Sequence, residues 1–396
     1  MSDKNRIKSL LQDVIDERVA SGYVAGMNVL VLQDGKELAY VESGMADIDS
    51  KKPFHRDAIL RIYSMSKPIT AAAVMILLEK NLISLGERVE KYLPGFKDLQ
   101  VWEDDENHKP AYRPVYIKDL LCMTSGLPYG DSNGHGAFKR AQNVFDAIDR
   151  RLYTDDQMST VEIANALGEA GLVFSPGARW MYGTSADILG AIVEVASGMS
   201  YGEFLKKELF DPLEMKDTGF SVPEKKRKRL ASVYERKGGK LTLFETNHLG
   251  MRYMRDCEPA FESGGAGLTS TIDDYAHFAT MLMSGGTYKG KRVLSEHTVR
   301  YMTSGRLTPW QEESLWRDWD GHGGYSYGCL MQHMINPGMA YFHTCQDEYG
   351  WDGWLGTYFC NCPKERVTIL CGMQITDEEG NLVFERVRNA LGQYIG

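Results

Sequence analysis

Ser64 and Lys67 are the residues of this 396-residue chain whose types and spacing point most directly to chemistry. They stand three positions apart, and residues at that spacing on a helix share one face. A serine hydroxyl becomes a useful nucleophile when a base removes its proton, and a lysine desolvated in a cleft can be that base. No other serine in the sequence has a lysine three residues later. Because the apolar run 58–60 precedes the pair and an apolar helix follows, we predict a buried helix start.

A second serine, Ser200, competes for the role of nucleophile. The run 198–202 satisfies the Gly-x-Ser-x-Gly pattern of a nucleophile elbow, which needs a strand before the serine and a helix after it. Residues 188–196 instead have helical periodicity, and Gly198 is typical of a helix C-cap. Ser200 and Glu203 have the spacing of a capping box that opens the next helix. We therefore predict a structural role for Ser200.

The elements that position Ser64 begin near the N-terminus. Apolar residues in 6–21 repeat at helical spacing. Two β-rich runs, 27–33 and 37–42, surround Asp34-Gly35, which is a strong signal for a hairpin. The apolar pattern then predicts a helix from about Ser64 to Leu82.

Helices dominate the expectation for the middle of the chain, and strands return near its end. Strand-like segments occur at 356–360 and 367–373, and a final amphipathic helix is predicted over 378–394. This order favours an α/β (α+β) fold with one sheet completed by both chain ends and flanked by helices. The predicted domains are an α/β domain from 1–84 plus 250–396 and a mostly helical inserted domain, 85–249, with the active site between them.

Composition excludes several classes of protein. A net charge of −9 and a pI near 5.6 argue against nucleic acid as a partner. No window holds eighteen consecutive apolar residues, so no membrane span or membrane partner is expected. The N-terminal residues lack a secretory signal, and seven scattered cysteines suit reduced thiols, which together predict a cytoplasmic protein. Cys360 and Cys362 have no second ligand pair, so we predict no metal site and no cofactor.

Several segments resemble, in order, the serine β-lactamase and penicillin-binding-protein superfamily, and within it the class C β-lactamase-like branch that includes family VIII carboxylesterases. The resemblance spans nearly the whole chain. The matching segments are Ser64–Lys67, Asp119–Pro128, Phe174–Gly177, Tyr182–Thr184, Asp211–Met215, Gly264–Leu268 and Trp351–Gly353. It implies a β-lactamase/transpeptidase-like fold.

The resemblance also assigns roles around Ser64. It implies that Tyr182 is a second general acid/base beside Lys67, with Lys67 favouring the tyrosine's phenolate. It places the oxyanion hole at the backbone N–H groups of Ser64 and Trp354. Gly353 would let the strand backbone approach the acyl group closely.

Departures from the family pattern bear on the substrate. Trp351 and Asp352 stand where penicillin-recognising relatives have a Lys-Thr pair that meets the substrate carboxylate. An indole cannot pair with an anion, and a carboxylate beside an anion repels it. Thr184 replaces an asparagine that would bind a β-lactam side chain. These changes favour a neutral ester with a small or apolar acyl group, and we expect Trp351, Asp352, Gly353 and Thr184 to contact it.

The leading interpretation is a serine carboxylesterase that acts on a small-molecule ester through an acyl-enzyme on Ser64. Alternatives are a β-lactamase, a D-amino-acid peptidase or amidase, an acyltransferase of the same superfamily, and a non-catalytic sensor. Self-association into a homo-oligomer stays open. So do the roles of His322, His343 and the aromatic stretch 310–327, which either lines the mouth of the cleft or packs a loop.

Overall fold

Strands from both ends of the chain pair into one eight-stranded sheet. The computed structural model describes residues 3–319, 321–376 and 381–394. Sixteen strands are described within those ranges: Gly26–Gln33 (β1), Lys36–Asp47 (β2), Lys52–Pro53 (β3), Leu60–Arg61 (β4), Gln100–Trp102 (β5), His108–Pro110 (β6), Tyr234–Lys237 (β7), Lys240–Leu243 (β8), Thr269–Ser270 (β9), Thr287–Tyr288 (β10), Lys291–Arg292 (β11), Tyr325–Gly328 (β12), Met331–Met334 (β13), Tyr349–Asp352 (β14), Tyr358–Cys362 (β15) and Val367–Met373 (β16). The sheet order is β12-β13-β14-β15-β16-β1-β2-β3, with every neighbour antiparallel.

Helices cover both faces of this sheet. The α-helices in the described part of the chain are Asp3–Ala20 (α1), Ser66–Glu79 (α2), Ile117–Leu121 (α3), Ala137–Arg151 (α4), Thr160–Ala170 (α5), Ser185–Ser197 (α6), Tyr201–Leu205 (α7), Glu224–Arg227 (α8), Ile272–Met283 (α9), Glu296–Met302 (α10), Pro309–Asp318 (α11) and Asn381–Leu391 (α12). The predicted mixed α/β fold with a large antiparallel sheet is confirmed.

The alternation of side chains in β1 separates two cores. Successive side chains of a strand point to opposite faces. Val29 and Val31 therefore pack with the apolar residues of α1 and α12, whereas Leu30 and Leu32 join the core that contains α2. Because β1 is buried on both faces, it reads as a continuous apolar run rather than as an alternating one.

The predicted hairpin is present with a two-residue turn. Gln33 pairs with Lys36, and Asp34 and Gly35 between them have φ values of 54° and 70°. Positive φ at both central residues matches the twist of the flanking strands, and Asp-Gly is a preferred pair for such a turn.

The mostly helical middle of the chain contains two short strand pairs that the sequence pattern did not indicate. β5 pairs with β6, and β7 pairs with β8. These strands have three or four residues, and β6 and most of β8 are solvent-exposed, so they lack an apolar alternation. Near the C-terminus, the strand predicted over 356–360 is Tyr358–Cys362, because Gly356 lies in the preceding turn with φ 82°.

The predicted final helix lies partly outside the described residues, which resume at Asn381. The division into two domains stays a prediction, although the sheet does combine strands before residue 54 with strands after residue 324. Within the described ranges no single helix has the length and hydropathy of a membrane span. In the same ranges one bent pair, Ser185–Ser197 and Tyr201–Phe210, reaches those values when its two parts are counted together.

A buried ion pair attaches α12 to the sheet. Arg388 of α12 donates to the Glu348 carboxylate, and their side chains are 3% and 1% exposed. The guanidinium also donates to the His343 carbonyl and to the Cys360 sulfur. Glu348 accepts a further hydrogen bond from Tyr325 at 2.7 Å. Each charge therefore depends on the other to remain buried.

Replacing Arg388 tests this attachment. We expect Arg388→Leu to lower the free energy of unfolding by about 3–5 kcal/mol, because the Glu348 carboxylate loses its buried counter-charge. Urea denaturation followed by far-UV circular dichroism measures the change. Arg386→Leu on the exposed side of α12 is the matched control, with an expected change within about 0.5 kcal/mol. Equal effects of the two substitutions would contradict the assignment.

Candidate active site

The turn Tyr63–Met65 presents Ser64 at the start of α2. Tyr63 has a positive φ of 41°, a conformation that costs a bulky residue about 1–3 kcal/mol. Its ring packs against the stacked pair of Trp354, with ring centroids 5.0 Å apart, and His248, at 5.7 Å. These contacts fix the strained turn, so the Ser64 hydroxyl is directed to one side of the helix start.

Ser64, Lys67 and Tyr182 meet in one hydrogen-bonded group, although they come from separate elements. Lys67 Nζ lies 3.1 Å from Ser64 Oγ, and the Tyr182 hydroxyl donates to the same Oγ at 2.7 Å. Tyr182 stands three residues before α6, a helix that packs against α2. The packing of these two buried helices therefore sets the distance between nucleophile and tyrosine.

Lys67 is completely buried, and its amine is surrounded by acceptors. Besides Ser64, Nζ bonds to the Tyr129 hydroxyl at 3.1 Å and to the Gly265 carbonyl at 2.9 Å. Burial lowers the pKa of Lys67 to about 7, against the opposing effect of the Asp187 and Asp352 carboxylates. A substantial share of the molecules therefore carries a neutral amine at neutral pH, and that form can accept the Ser64 proton.

The Gly264-Gly265 segment brings its carbonyl to Lys67 because neither residue has a side chain. A Cβ on Gly264 would lie 2.3 Å from the Ala186 carbonyl oxygen, and one on Gly265 would lie 2.9 Å from Asp187 Oδ2. Asp187 Oδ1 accepts from the Ser263 hydroxyl at 2.6 Å and from the Gly265 N–H at 3.0 Å. The glycines of the matched segment thus serve close packing around the base.

Tyr182 is a neutral phenol in this environment, which corrects the expectation that Lys67 favours its phenolate. Burial raises the pKa of Tyr182 well above its usual value, and its hydrogen bonds with Ser64 and Trp351 offset only part of that rise. The lysine is itself partly neutral, so its charge stabilises a phenolate less than expected. The geometry therefore fits Lys67 as the proton acceptor and Tyr182 as a proton donor.

Trp351 lies beneath Tyr182 rather than on the surface. It is 1% exposed, and its indole N–H donates to the Tyr182 hydroxyl at 3.3 Å. Asp352 follows on the opposite face of β14 and lines a cavity of about 120 Å³ with Trp319 and His322. Burial raises the pKa of Asp352 to about 6. Direct substrate contact by Trp351 and Asp352 stays a prediction.

Gly353 brings the end of β14 against the nucleophile turn. A Cβ at this position would lie 2.3 Å from the Ile62 carbonyl oxygen and 2.2 Å from Thr357 Oγ1. Trp354 follows, with a ring that is 38% exposed and stacked on His248 at 4.0 Å. The backbone N–H groups of Ser64 and Trp354 therefore belong to segments in direct contact, as the predicted oxyanion hole requires, and that hole stays a prediction.

Three further sequence candidates have structural contacts. Thr184 is fully buried, and its hydroxyl donates to the Pro128 carbonyl at 3.2 Å, so its predicted substrate contact stays untested. Ser200 caps α7 by accepting from the Glu203 N–H, after Gly198 ends α6 with φ 71°. The structural role predicted for Ser200 is therefore confirmed. His343 lies against α12, where its backbone bonds to Asn389 and Arg388.

The aromatic stretch 310–327 divides between the two roles left open for it. Trp319 lies edge-on to Tyr182, with centroids 4.6 Å apart, and Tyr327 packs on Trp351 at 5.1 Å. Trp310 instead remains 67% exposed and donates to the Ala178 carbonyl. Part of the stretch therefore packs around Tyr182, and part attaches α11 to the loop before Tyr182.

Sequence reasoning missed Tyr129 and Asp187. Tyr129 directly follows the matched segment that ends at Pro128, and Asp187 comes five residues after Tyr182. Their proximity to known motifs was the available signal. A tyrosine after that segment, or an aspartate five residues after Tyr182, does not by itself indicate that the side chain lies near a buried lysine.

One cluster in the described residues has a donor set that a metal ion could use. Ligand atoms of Cys345, Glu348 and Cys362 lie within 4.8 Å of one another. The Arg388 guanidinium already contacts Glu348 and approaches Cys362. The guanidinium already supplies the positive charge that a metal ion would bring. The cluster is therefore better explained as a structural ion pair than as a metal centre.

The comparisons with known proteins agree with this geometry. The sequence model of the family described as Beta-lactamase matches residues 11–391. The chain belongs to the Beta-lactamase family. It is a serine hydrolase.

Relatives of this Beta-lactamase family member include an esterase. The protein Rv1367c of Mycobacterium tuberculosis is 32% identical over 91% of this chain and 88% of its own length. Esterase EstB of Burkholderia gladioli is 30% identical over 69% of each chain. Among solved structures, EstCE1, described as a hydrolase with promiscuous acyltransferase activity, has a TM-score of 0.81, covering 98% of this chain and 99% of its own at 21% identity. That last likeness concerns the fold.

The pKa of Lys67 predicts the pH dependence of the reaction. The neutral amine is the active form, so kcat/KM should rise with pH through a midpoint near 7. Asp352 titrates nearby, and its charge raises the pKa of Lys67. We therefore expect Asp352→Asn to move the midpoint to lower pH while keeping the rise. Initial rates on p-nitrophenyl butyrate between about pH 5.5 and 8.5 measure both profiles. A flat wild-type profile, or a rise that vanishes in Asp352→Asn, would contradict Lys67 as the base.

Proposed function

We propose that this protein is a carboxylesterase that hydrolyses small or short-acyl esters through an acyl-enzyme on Ser64, closest in type to family VIII carboxylesterases. The observation that carries the proposal is the group Ser64–Lys67–Tyr182, completed by the indole N–H of Trp351 in place of a cation. The family match supports the nucleophile chemistry, and the similarity to EstB supports an ester as substrate.

The geometry suggests an order of proton transfers. Ser64 Oγ forms a bond to the ester carbonyl carbon while its proton passes to the neutral Lys67 amine. The predicted N–H pair of Ser64 and Trp354 would stabilise the oxyanion. In this proposal Tyr182 protonates the departing alkoxide, and the proton that Lys67 took from Ser64 then restores the neutral tyrosine. Water then attacks the acyl carbonyl by the reverse sequence and releases the acid.

The surroundings of Ser64 favour an uncharged, apolar ester group. Tyr129 and Trp319 pack against Tyr182, and Trp354 packs against Tyr63, which directly precedes Ser64. Trp351 offers no positive charge where a β-lactam carboxylate would need one. This difference supports an ester over a β-lactam or a D-amino-acid amide.

Acyl transfer to an alcohol is a second candidate. The fold is similar to that of EstCE1, a hydrolase described as having promiscuous acyltransferase activity. In this second proposal the aromatic side chains near Ser64 would limit the access of water, which would lengthen the life of an acyl-enzyme and give an alcohol more time to react. The seven unpaired cysteines support a cytoplasmic location. That location and a homo-oligomeric state are both part of the proposal.

Paired serine variants test the nucleophile. We expect Ser64→Ala to lower kcat on p-nitrophenyl butyrate by at least about 10³-fold, because no acyl-enzyme can form. Ser200→Ala is the matched control: it should keep the activity and lose about 1 kcal/mol of stability from the α7 cap. Stopped-flow bursts and thermal melts measure the two effects. Full activity in Ser64→Ala, or loss of activity in Ser200→Ala alone, would overturn the proposal.

A substrate panel tests the ester class. p-Nitrophenyl esters of increasing acyl length, nitrocefin and a D-alanyl p-nitroanilide are compared by kcat/KM in one buffer. We expect the short esters to exceed nitrocefin by about 100-fold or more, since Trp351 and Asp352 leave the nitrocefin carboxylate unpaired. The short esters should also exceed the anilide, because an ester carbonyl is more reactive towards a serine nucleophile than an amide carbonyl is. Nitrocefin as the best substrate would make the protein a β-lactamase instead.

A further inference from the structure

A cavity of about 120 Å³ lies next to Tyr182, on the side of β14 that carries Asp352. Trp319 forms part of its wall and also packs edge-on against Tyr182, with ring centroids 4.6 Å apart. An apolar cavity of about 150 Å³ can hold benzene, so this one has room for a group of about five heavy atoms. The cavity therefore has the size of a small ligand group and shares a wall with the tyrosine that contacts Ser64.

Most of the residues that line this cavity are aromatic: Trp319, His322, Tyr325, Phe342, Tyr358 and Phe384. The ring of His322 is tilted by 38° from that of Trp319. On the α12 side, Phe384 lies parallel to Tyr358, and Phe342 meets Phe384 at 80°. Rings of different orientation thus surround one space. This is the arrangement of an aromatic cage, which attracts quaternary ammonium groups through the negative faces of its rings.

Two carboxylates make the same cavity negative. Asp352 and Glu385 line it, and no lysine or arginine does so among the described residues. Burial raises the pKa of both carboxyl groups, to about 6 for Asp352. Lys67 opposes that rise at Asp352, whereas no cation in the described part of the chain opposes it at Glu385. Arg388, on the same helix as Glu385, already balances the buried Glu348 carboxylate. At neutral pH the cavity therefore carries negative charge that its surroundings balance only in part.

The combination of rings and carboxylates selects among ligands. An aromatic lining alone would accept any apolar group. A metal ion needs a full set of oxygen ligands, and a strongly hydrated ammonium loses its water against apolar walls without replacement. An alkylated ammonium group instead presents methyl groups to the rings, while the carboxylates balance its charge.

We propose that this cavity binds a small alkylated ammonium group, with the aromatic rings against its methyl groups and with Asp352 and Glu385 balancing its charge. The site does not require esterase activity and so goes beyond the proposed function. The ammonium group belongs either to the substrate or to a free cation. In the first case the ester at Ser64 stays neutral, and the charge lies in the neighbouring cavity.

Titration calorimetry with tetramethylammonium chloride tests the site directly. We expect saturable binding by wild type and a Kd at least about 10-fold higher in Asp352→Asn and in Glu385→Gln, because each change removes one balancing charge and keeps the side-chain shape. Asp347→Asn is the matched control. Its exposed carboxylate pairs with Lys364 outside the cavity, so the same loss of charge should leave the Kd unaltered.

Two isosteric ester pairs identify the source of the ammonium group. Acetylcholine and 3,3-dimethylbutyl acetate differ only by nitrogen or carbon at the branched centre of the alcohol. The p-nitrophenyl esters of 4-(trimethylammonio)butyrate and 5,5-dimethylhexanoate differ in the same way on the acyl side. If the substrate carries the ammonium group, the charged member of one pair has the higher kcat/KM, and Glu385→Gln lowers that ratio about 10-fold. Glu385 is the residue to change in this experiment, because Asp352 also acts on the pKa of Lys67.

The remaining outcomes are equally distinct. Ratios that Glu385→Gln leaves unaltered, together with carboxylate-dependent binding of tetramethylammonium, assign the site to a free cation. The inference is overturned if neither the binding of tetramethylammonium nor either ester ratio depends on these carboxylates. It is also overturned if uncharged tert-butanol binds as tightly as tetramethylammonium. Calorimetry needs no turnover, so a protein that hydrolyses no ester and still binds tetramethylammonium through Asp352 and Glu385 loses the proposed function and keeps this site.

Discussion

The desolvation of Lys67 is the constraint on which the rest of the site depends. A lysine in water stays protonated at neutral pH and cannot remove a proton from serine. Burial reverses this only while Nζ keeps enough acceptors to remain satisfied, and Ser64, Tyr129 and the Gly265 carbonyl provide them. Asp187 and Asp352 limit the fall of the pKa to about 7, so the amine can both accept and return a proton.

Other features of the fold follow from this requirement. α2 is buried along nearly its whole length, which removes water from Lys67. The glycines at 264 and 265 allow a backbone carbonyl to replace that water, and Gly353 brings β14 to the nucleophile turn. Trp351 donates to Tyr182 from beneath, and burial keeps the tyrosine a neutral donor. The same indole stands where the resemblance to penicillin-recognising relatives predicts a cation, so the proposed preference for esters involves the residue that contacts Tyr182.

Much of the fold could be predicted from the sequence because its signals are local. The Asp34-Gly35 turn, the apolar α2 and the capping box at Ser200 each depend on neighbouring residues. The site was harder to predict, since the roles of Tyr129 and Asp187 depend on partners that are distant in the chain. The expectation that Lys67 favours the Tyr182 phenolate was wrong. The sequence shows a nearby lysine, but it does not show the burial that raises the pKa of the tyrosine.

The pKa of Lys67 in the resting enzyme tests this account most directly. Protein labelled with [ε-¹³C]lysine is titrated by NMR, and the Lys67 signal is assigned by its absence in Lys67→Arg. The account predicts a midpoint near 7 for this signal, while exposed lysines titrate near about 10.4. A Lys67 signal that titrates with the exposed lysines would contradict a neutral amine as the activator of Ser64.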